Sequence, residues 1–486
     1  MRAAAEHDSP RIAFCEMLTL TESQNTTRTP MTIMPKILCT LVLCPAVLLA
    51  FGRPAEAQST FLTLSDVHYG IAAEEHVWGH SHETSKALWD KAQTKARALR
   101  DSESAAFTLY LGDMPAHNQA DAARKLEFTT VLNGLATIAG DSHRLYFLPG
   151  NNDSLDRDYC AFDSGGQVPF VADDKYDPTK SGPPTNQWPT LRAGDTLIDA
   201  SHIDHGYYSA YPLLPDTGLR LIALNTVMFT DDYGTGFNWD ACENALTIAE
   251  IETRIATQLQ WLATQLEQAE AAGEKVILAM HVPPGIDGYG GGPMWTVARG
   301  YSDSGYTGDD PLFTAASAAS DYTIERVFLE LTARHAKTIS AMLTAHTHLD
   351  DLRLLTSCQG DAAGIAYGVP GITTDHGNNP AMKVFGLDAT FALDRATTYY
   401  ATEFTAPKFD WHSDTHYGFT ATYCPTGRDC SGHPLSSVLQ AWNGDTQGIA
   451  KRMLTILRTG RGAVSGHYYA AALDAAPNCT MPRTMR

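Results

Sequence analysis

The chain has 486 residues, of which 44% are hydrophobic and 19% charged, a composition that can bury a large core and excludes general disorder. Its formal net charge of −20, with no Lys/Arg-rich stripe, excludes a nucleic-acid polymer as the main partner. A small phosphoester is not excluded, because a metal centre sets its own local field.

Residues 1–57 read as a leader outside the fold. Met34, Pro35 and Lys36 precede an apolar run from Ile37 to Phe51, and Ala55, Glu56 and Ala57 supply the small residues of a cleavage site, which together describe a secretory signal. The run is short and interrupted by Pro45, and no other stretch is long and apolar enough to span a bilayer, so the mature chain is expected to carry no transmembrane segment. A secreted or periplasmic protein, cut near Ala57, is predicted. Cys15, Cys39 and Cys44 fall in the leader, whereas Cys160, Cys242, Cys358, Cys424, Cys430 and Cys479 form an even set in an exported chain and are expected to pair as disulfides. Only the local loop Cys424–Cys430 is assigned.

The β-prone run Phe61 to Leu64 ends in Asp66, a spacer and His68, and alternation along a strand would put both side chains on one face. Glu83 to Leu99 places Leu88, Ala92, Ala96 and Leu99 at helical spacing. A second apolar run, Thr108 to Leu111, ends in Gly112 and Asp113. Ala120 to Ile138 reads as another helix, burying Leu126, Leu132, Leu135 and Ile138, and a third strand, Leu145 to Leu148, ends in Pro149, Gly150, Asn151, Asn152 and Asp153. Strand and helix alternate as in an α/β fold, whose ligands bind outside the carboxyl ends of the strands.

Residues 154–205 are rich in Asp, Gly and Pro and predict a long excursion stapled by Cys160. Gly206 to Tyr211 and Leu219 to Asn225 look like paired strands. Ile251, Ile255, Leu259, Leu262 and Leu266 mark the clearest helix, with Gly273 placed to stop it. Lys275 to His281 is a strand ending in histidine, followed by a Gly/Ser/Tyr-rich loop over 282–320. Another helix, through Ile324, Val327, Phe328 and Leu331, leads to a strand ending in His346, Thr347 and His348. Residues 365–405 suggest a run of antiparallel strands. A catalytic domain over 58–405 and a C-terminal helical, disulfide-bearing subdomain over 406–486 are expected.

Successive strand ends therefore carry Asp66, His68, Asp113, Asn151, His281, His346 and His348. Oxygen ligands mixed with imidazoles suit two divalent ions, zinc first and iron or manganese as alternatives. One carboxylate can bridge ions roughly 3.5–4 Å apart.

Asp66-x-His68, Gly112-Asp113, Gly150-Asn151, His281 and His346-x-His348 resemble the motif series of the calcineurin-like metallophosphoesterases. More narrowly, Gly112-Asp113-Met114-Pro115-Ala116-His117, Gln260-Trp261-Leu262, His281-Val282-Pro283-Pro284-Gly285 and His346-Thr347-His348 are similar to acid sphingomyelinase and the acid sphingomyelinase-like phosphodiesterases. The likeness runs from about residue 61 to the C-terminus and includes Asn379-Pro380. It implies a two-sheet αββα sandwich with Asp66, His68, Asp113 and His348 on the first metal. Asp113, as a bridge, and Asn151, His281 and His346 would hold the second.

There are two departures from the family pattern. Asp66 follows the expected cleavage site almost directly, leaving no place for the cysteine-rich saposin module of sphingomyelinase and favouring the phosphodiesterase branch with soluble substrates. Asn152 stands where the family has histidine, and an amide cannot shuttle a proton near neutral pH. His117 then becomes the candidate proton donor to the leaving oxygen.

The expected function is hydrolysis of nucleotide, choline-phosphate or sphingomyelin-like diesters, with a metal-bound hydroxide as nucleophile. Candidate substrate contacts are His76, Trp78, His80 and His82, Tyr289 and Trp295, and Thr374, Asp375 and His376. Two alternatives share the ligands: a phosphomonoesterase of nucleotidase or acid phosphatase type, and a metal-bearing binding protein with little turnover.

Overall fold

The computed structural model describes residues 59–71, 83–117, 121–140, 144–169, 196–237, 240–287, 292–302, 305–319, 322–402, 411 and 415–459. The leader and Cys479 lie outside the described residues. Strand β1 (Ser59–Leu64) turns Phe61 to one side and Leu62 and Leu64 to the other, all fully buried, so it needs cover on both faces. Helix α1 (Lys86–Ser102) covers one of them. Ser85 caps it by accepting from the Leu88 amide, and Leu88, Trp89, Ala92, Ala96 and Leu99 are buried. Strand β2 (Ala105–Tyr110), helix α2 (Asp121–Ala139) and strand β3 (Arg144–Phe147) repeat the unit, and β1, β2 and β3 pair in parallel. Helix α2 buries Phe128, Val131, Leu132, Leu135 and Ile138, but Leu126, expected inside, is 48% exposed. It sits two positions from Phe128, off the apolar stripe that the others form.

The second half runs through β4 (Leu197–Asp199), β5 (Tyr208–Ala210), β6 (Leu219–Leu224), the ribbon β7 (Gly236–Phe237) and β8 (Asp240–Ala241), and helix α3 (Ile248–Ala272). A Thr247–Glu250 capping box starts α3 and Gly273, in the left-handed region at φ 71°, stops it. Then come β9 (Lys275–Met280), α4 (Pro311–Ala318), α5 (Ile324–Arg334), β10 (Ile339–Thr344), β11 (Leu352–Thr356) and β12 (Ala362–Gly368). These strands form one sheet in the order β11-β12-β10-β9-β6-β5-β4, with β6, β9, β10 and β12 parallel.

The chain then returns to the first sheet with β13 (Ala381–Leu387), antiparallel to β1, followed by β14 (Leu393–Tyr400) and β15 (His416–Gly418). The run of antiparallel strands expected over 365–405 is therefore divided. Strand β12 joins the other sheet, parallel to β10 and antiparallel to β11, and β13 and β14 pair with each other as expected, because alternation reveals a strand but not its partner.

Helices α1 and α2 cover the outer face of the first sheet and α3 and α5 that of the second. Between the sheets Phe61, Phe107, Leu221 and Ile277 meet in one apolar layer, giving the αββα sandwich. Helices α6 (Phe419–Tyr423), α7 (Leu435–Gln440) and α8 (Thr446–Ile456) add Phe419, Leu435, Leu439 and Met453 to that layer. Disulfides join Cys160 to Cys242 and Cys424 to Cys430, and Cys358 is also disulfide-bonded.

A buried ion pair ties the two sheets to the C-terminal helices. Lys383 on β13 donates to Asp350 Oδ1 and to the Gly368 carbonyl, both at 2.6 Å. Thr398 and Tyr417 donate to Asp350 Oδ2 at 2.6 and 2.8 Å, and the Asp350 amide donates to the Leu457 carbonyl at 3.0 Å. Lys383→Ala strands a buried carboxylate and should cost about 3–5 kcal/mol. Thr398→Val should cost about 1 kcal/mol. Urea unfolding followed by circular dichroism measures both, and similar costs for the two variants would contradict this role of Lys383.

Candidate metal centre

The carboxyl ends of β1, β2 and β3 in one sheet and of β9 and β10 in the other open on the same edge of the sandwich. The loops that leave them are zipped together. The Asp66 amide donates to the Gly112 carbonyl, those of Val67 and His68 to Asp113, and that of Tyr69 to Met114, which continues the β1–β2 pairing past the strand ends. The Ala345 amide donates to the His281 carbonyl, while Ile372 and Thr373 donate to Ser65 and Asp66, so loops of both sheets interlock.

Asp66 and His68 lie beyond β1, at φ 46° and 44°, so left-handed turns bring their side chains together and not the strand alternation expected from the sequence. Asp113, His346 and His348 are also left-handed, at φ 64°, 69° and 58°. Such conformations cost non-glycine residues roughly 1–3 kcal/mol each and persist where surrounding contacts over-determine them. Gly112, at φ 100°, shows how tight the place is: a Cβ there would stand 2.5 Å from the Gly150 nitrogen and 2.8 Å from His281 Nδ1.

Asp113 Oδ2 faces His68 Nε2 at 3.3 Å and His281 Nε2 at 3.1 Å. His281 Nε2 is also 3.1 Å from Asn151 Oδ1, and its Nδ1 donates to the Leu111 carbonyl at 2.7 Å, which fixes the ring. His348 Nε2 lies 3.7 Å from Asp66 Oδ1. Among the described residues three clusters of potential ligand atoms result: Asp66, His68 and His348 on one side, Asp113, His281 and His346 on the other, and His68 with Glu83 and His117 at the rim.

The donor set fits two metal ions. Asp66 Oδ2 and the Nδ1 atoms of His68 and His348 are buried without a hydrogen-bond partner, a state that buried polar atoms rarely keep unless a cation completes them. Burial, aided by the charge of His281, pushes His346 down to about 3, and burial with the charge of His376 depresses His348. These two shifts favour the neutral, ligating form, whereas, against the opposing effect of burial, the Asp113 carboxylate raises His68 to about 10 and His281 to about 9. Burial raises Asp66 to about 6, the charge of Asp113 adding to it and His281 and His68 opposing.

Asn152 is fully buried behind the central carboxylate. Its amide N–H donates to Asp113 Oδ1 at 2.8 Å and its side-chain Nδ2 to Oδ2 at 3.1 Å, so it holds the carboxylate and does not face the cavity. Asp153 accepts from the amides of Asp113, Met114 and Gly150. Arg124, on α2, donates to the Asn152 and Ser154 carbonyls and to Asp158. Sequence reasoning missed Arg124 altogether, and for Asp153 the only signal was its place beside Asn151 and Asn152.

A cavity of about 390 Å³ opens over the centre, lined by Asp113, Asn151, His346 and His348 and also by His117 and His376. The His376 ring meets that of His348 edge-on at 4.5 Å. Trp295 is not part of this wall. It is 1% exposed, donates to the Val282 carbonyl and packs edge-on against Phe229 and Phe328 in the core. The Gly-rich context predicted an exposed aromatic there, but a large ring can be buried from a loop when its N–H finds a carbonyl. His76, Trp78, His80, His82 and Tyr289 lie outside the described residues.

A two-sheet sandwich that gathers imidazoles and carboxylates at the shared carboxyl edge of its strands defines the metallophosphoesterase class. No family model matches the chain. It is similar to sphingomyelin phosphodiesterase B of Dictyostelium discoideum, 29% identical over 204 residues, 40% of this chain and 25% of that protein. Acid sphingomyelinase-like phosphodiesterase 3b of Homo sapiens is 25% identical over 246 residues, 48% of this chain and 45% of that protein. A cyclic GMP-AMP phosphodiesterase of Mus musculus is 24% identical over 293 residues, 58% and 54% of the two chains. The chain thus spans a quarter to about half of the length of the curated relatives it matches. Over these stretches the chain is similar to sphingomyelin phosphodiesterases and acid sphingomyelinase-like phosphodiesterases.

Elemental analysis of the purified chain should find two transition-metal ions. His348→Ala should lose one of them, and Asp113→Ala should lose both. Unchanged metal content in Asp113→Ala would remove that residue from its bridging position.

Proposed function

We propose that the chain is an exported, dinuclear metal-dependent phosphodiesterase, and that Asp66, His68, Asp113 and His348 hold one ion and Asp113, Asn151, His281 and His346 the other. The observation that carries this reading is the single Asp113 oxygen that faces an imidazole of each cluster. Two divalent ions, zinc by this mixed donor set, supply Lewis acidity and an activated water for in-line displacement at phosphorus.

The protein side of the reaction falls to the residues around the centre. Asn152 and Asp153 keep the Asp113 carboxylate and its loop in place. His117 borders the cavity, its ring stacked 4.3 Å from that of His68, and it is the residue we assign to protonating the leaving oxygen. Asn152 lacks that capacity and is turned away from the cavity.

Asp158, Asp231, Asp232 and Asp287 add four carboxylates to the cavity wall, and Asp158 pairs with Arg124 at 3.0 Å. Such a wall opposes a polyanionic substrate and favours a diester whose far end carries a positive charge, as a choline-phosphate diester does. Turnover on choline-phosphate, sphingomyelin and nucleotide diesters ranks these substrates directly.

Bis-p-nitrophenyl phosphate should be hydrolysed faster than p-nitrophenyl phosphate, and a strong preference for the monoester would overturn the assignment. In His117→Ala, turnover of an alkyl diester relative to a p-nitrophenyl diester should fall by roughly 10²- to 10⁴-fold, because only the poor leaving group needs the proton. Equal losses on both would leave His117 a structural residue.

Export is supported by the apolar leader ending at Ala57 and by disulfides such as Cys160–Cys242 and Cys424–Cys430. The mature protein should begin at Gln58 and gain mass on reduction and alkylation. Intact-mass measurement settles both points, and a product that retains residues 1–57 would refute the cleavage site.

A further inference from the structure

The segment that bears His117 is held by a carboxylate that no motif singles out. Glu83 Oε1 accepts from both N–H groups of His117, the backbone amide at 3.0 Å and ring Nδ1 at 2.7 Å. The contact is framed on three sides. The Thr84 amide donates to the His68 carbonyl, the Gly70 amide to Thr84, and the Ala116 amide to Tyr69, so the segments of Glu83, His68 and His117 run side by side. Glu127 accepts from the amides of Ala116 and Ile71 and closes the far end. A second carboxylate, Asp375 Oδ2, lies 4.0 Å from the same Nδ1.

We propose that Glu83 is the positioning residue for His117: it holds Nδ1–H turned to the carboxylates, so that the imidazolium gives its Nε2 proton to the leaving oxygen and is left as the neutral Nδ1–H tautomer. The inference rests on the role assigned to His117 above. A carboxylate on one imidazole nitrogen selects the tautomer and the ring plane, and the stacking of His117 on His68 at an interplanar angle of 12° leaves the ring little other freedom. Glu83 is half-buried and touches no reacting atom in this scheme, so it acts only through His117.

Glu83→Ala should lower the ratio of alkyl to p-nitrophenyl diester turnover by about 10- to 100-fold. In a His117→Ala background the same change should move that ratio no further. Nitrogen-15 NMR of the histidine rings in the metal-loaded protein should show His117 protonated at Nδ1 in the parent and a mixture of tautomers in Glu83→Ala. Glu83→Gln, whose amide oxygen can accept the same two bonds, should restore the Nδ1–H tautomer. Equal losses on both leaving groups, additive losses in the double variant, or an unchanged tautomer would overturn the proposal. Inactivity of the parent on every diester would instead count against the phosphodiesterase reading, and the tautomer measurement would still decide the role of Glu83.

Discussion

One constraint organises the molecule: a single carboxylate oxygen of Asp113 must stand between an imidazole from the first sheet and one from the second. His68 reaches it from the β1 loop and His281 from the end of β9, so the two sheets have to meet at their carboxyl edges within hydrogen-bond distance. Much of the sandwich can be read as the means to that end. The apolar layer between the sheets fixes their spacing, and parallel pairing of β1 with β2 and of β9 with β10 sets the loop ends side by side. The left-handed turns at five candidate ligands then aim side chains that a straight strand would splay apart.

Strain of that kind needs supports, and the supports here are buried and charged. Asp153 gathers three amides beneath Asp113, and burial with the charge of Asp113 raises its own carboxyl to about 7. Arg124 spends its guanidinium on the carbonyls of the Asn151 loop. Arg353 pairs with Asp351 and donates to the Pro284 and Ile286 carbonyls, joining the loop after His348 to the loop after His281. Lys383 does the same between the sheets. Arg124, Arg353 and Lys383 each place a full charge where water is absent, which is tolerable only because each is paired with a carboxylate and bonded to carbonyls.

The candidate ligand residues could be picked out in the sequence because each follows an apolar run, and strand ends are where an α/β fold presents chemistry. Their geometry was legible only in part. Asp66 and His68 do converge, but through backbone turns that no alternation rule encodes. Trp295 looked like a loop aromatic, yet its N–H finds the Val282 carbonyl and its ring fills the core. The partner of β12 could not be read either, since an alternating strand fits the edge of more than one sheet. The supports were the least visible of all. Glu83 is 34 residues from His117, Arg124 is 28 from Asn152, and Lys383 is 33 from Asp350. Their pairings exist only once the sheets are in register.

Asn152, which stands where the resembled family has histidine, shows what its position demands of a side chain. The position is enclosed and its neighbour Asp113 is an acceptor, so whatever residue stands there must donate to that carboxylate or leave it under-bonded. Asparagine meets the demand through its side-chain amide and gives up only proton transfer. The cavity side of the centre already carries a second histidine, His117, held by Glu83 and packed on His68. Under the proposed scheme, support of the central carboxylate and delivery of a proton are separable tasks, one beside Asp113 and one beside His68. A substitution that preserves the first can be borne as long as the second is met from the other side.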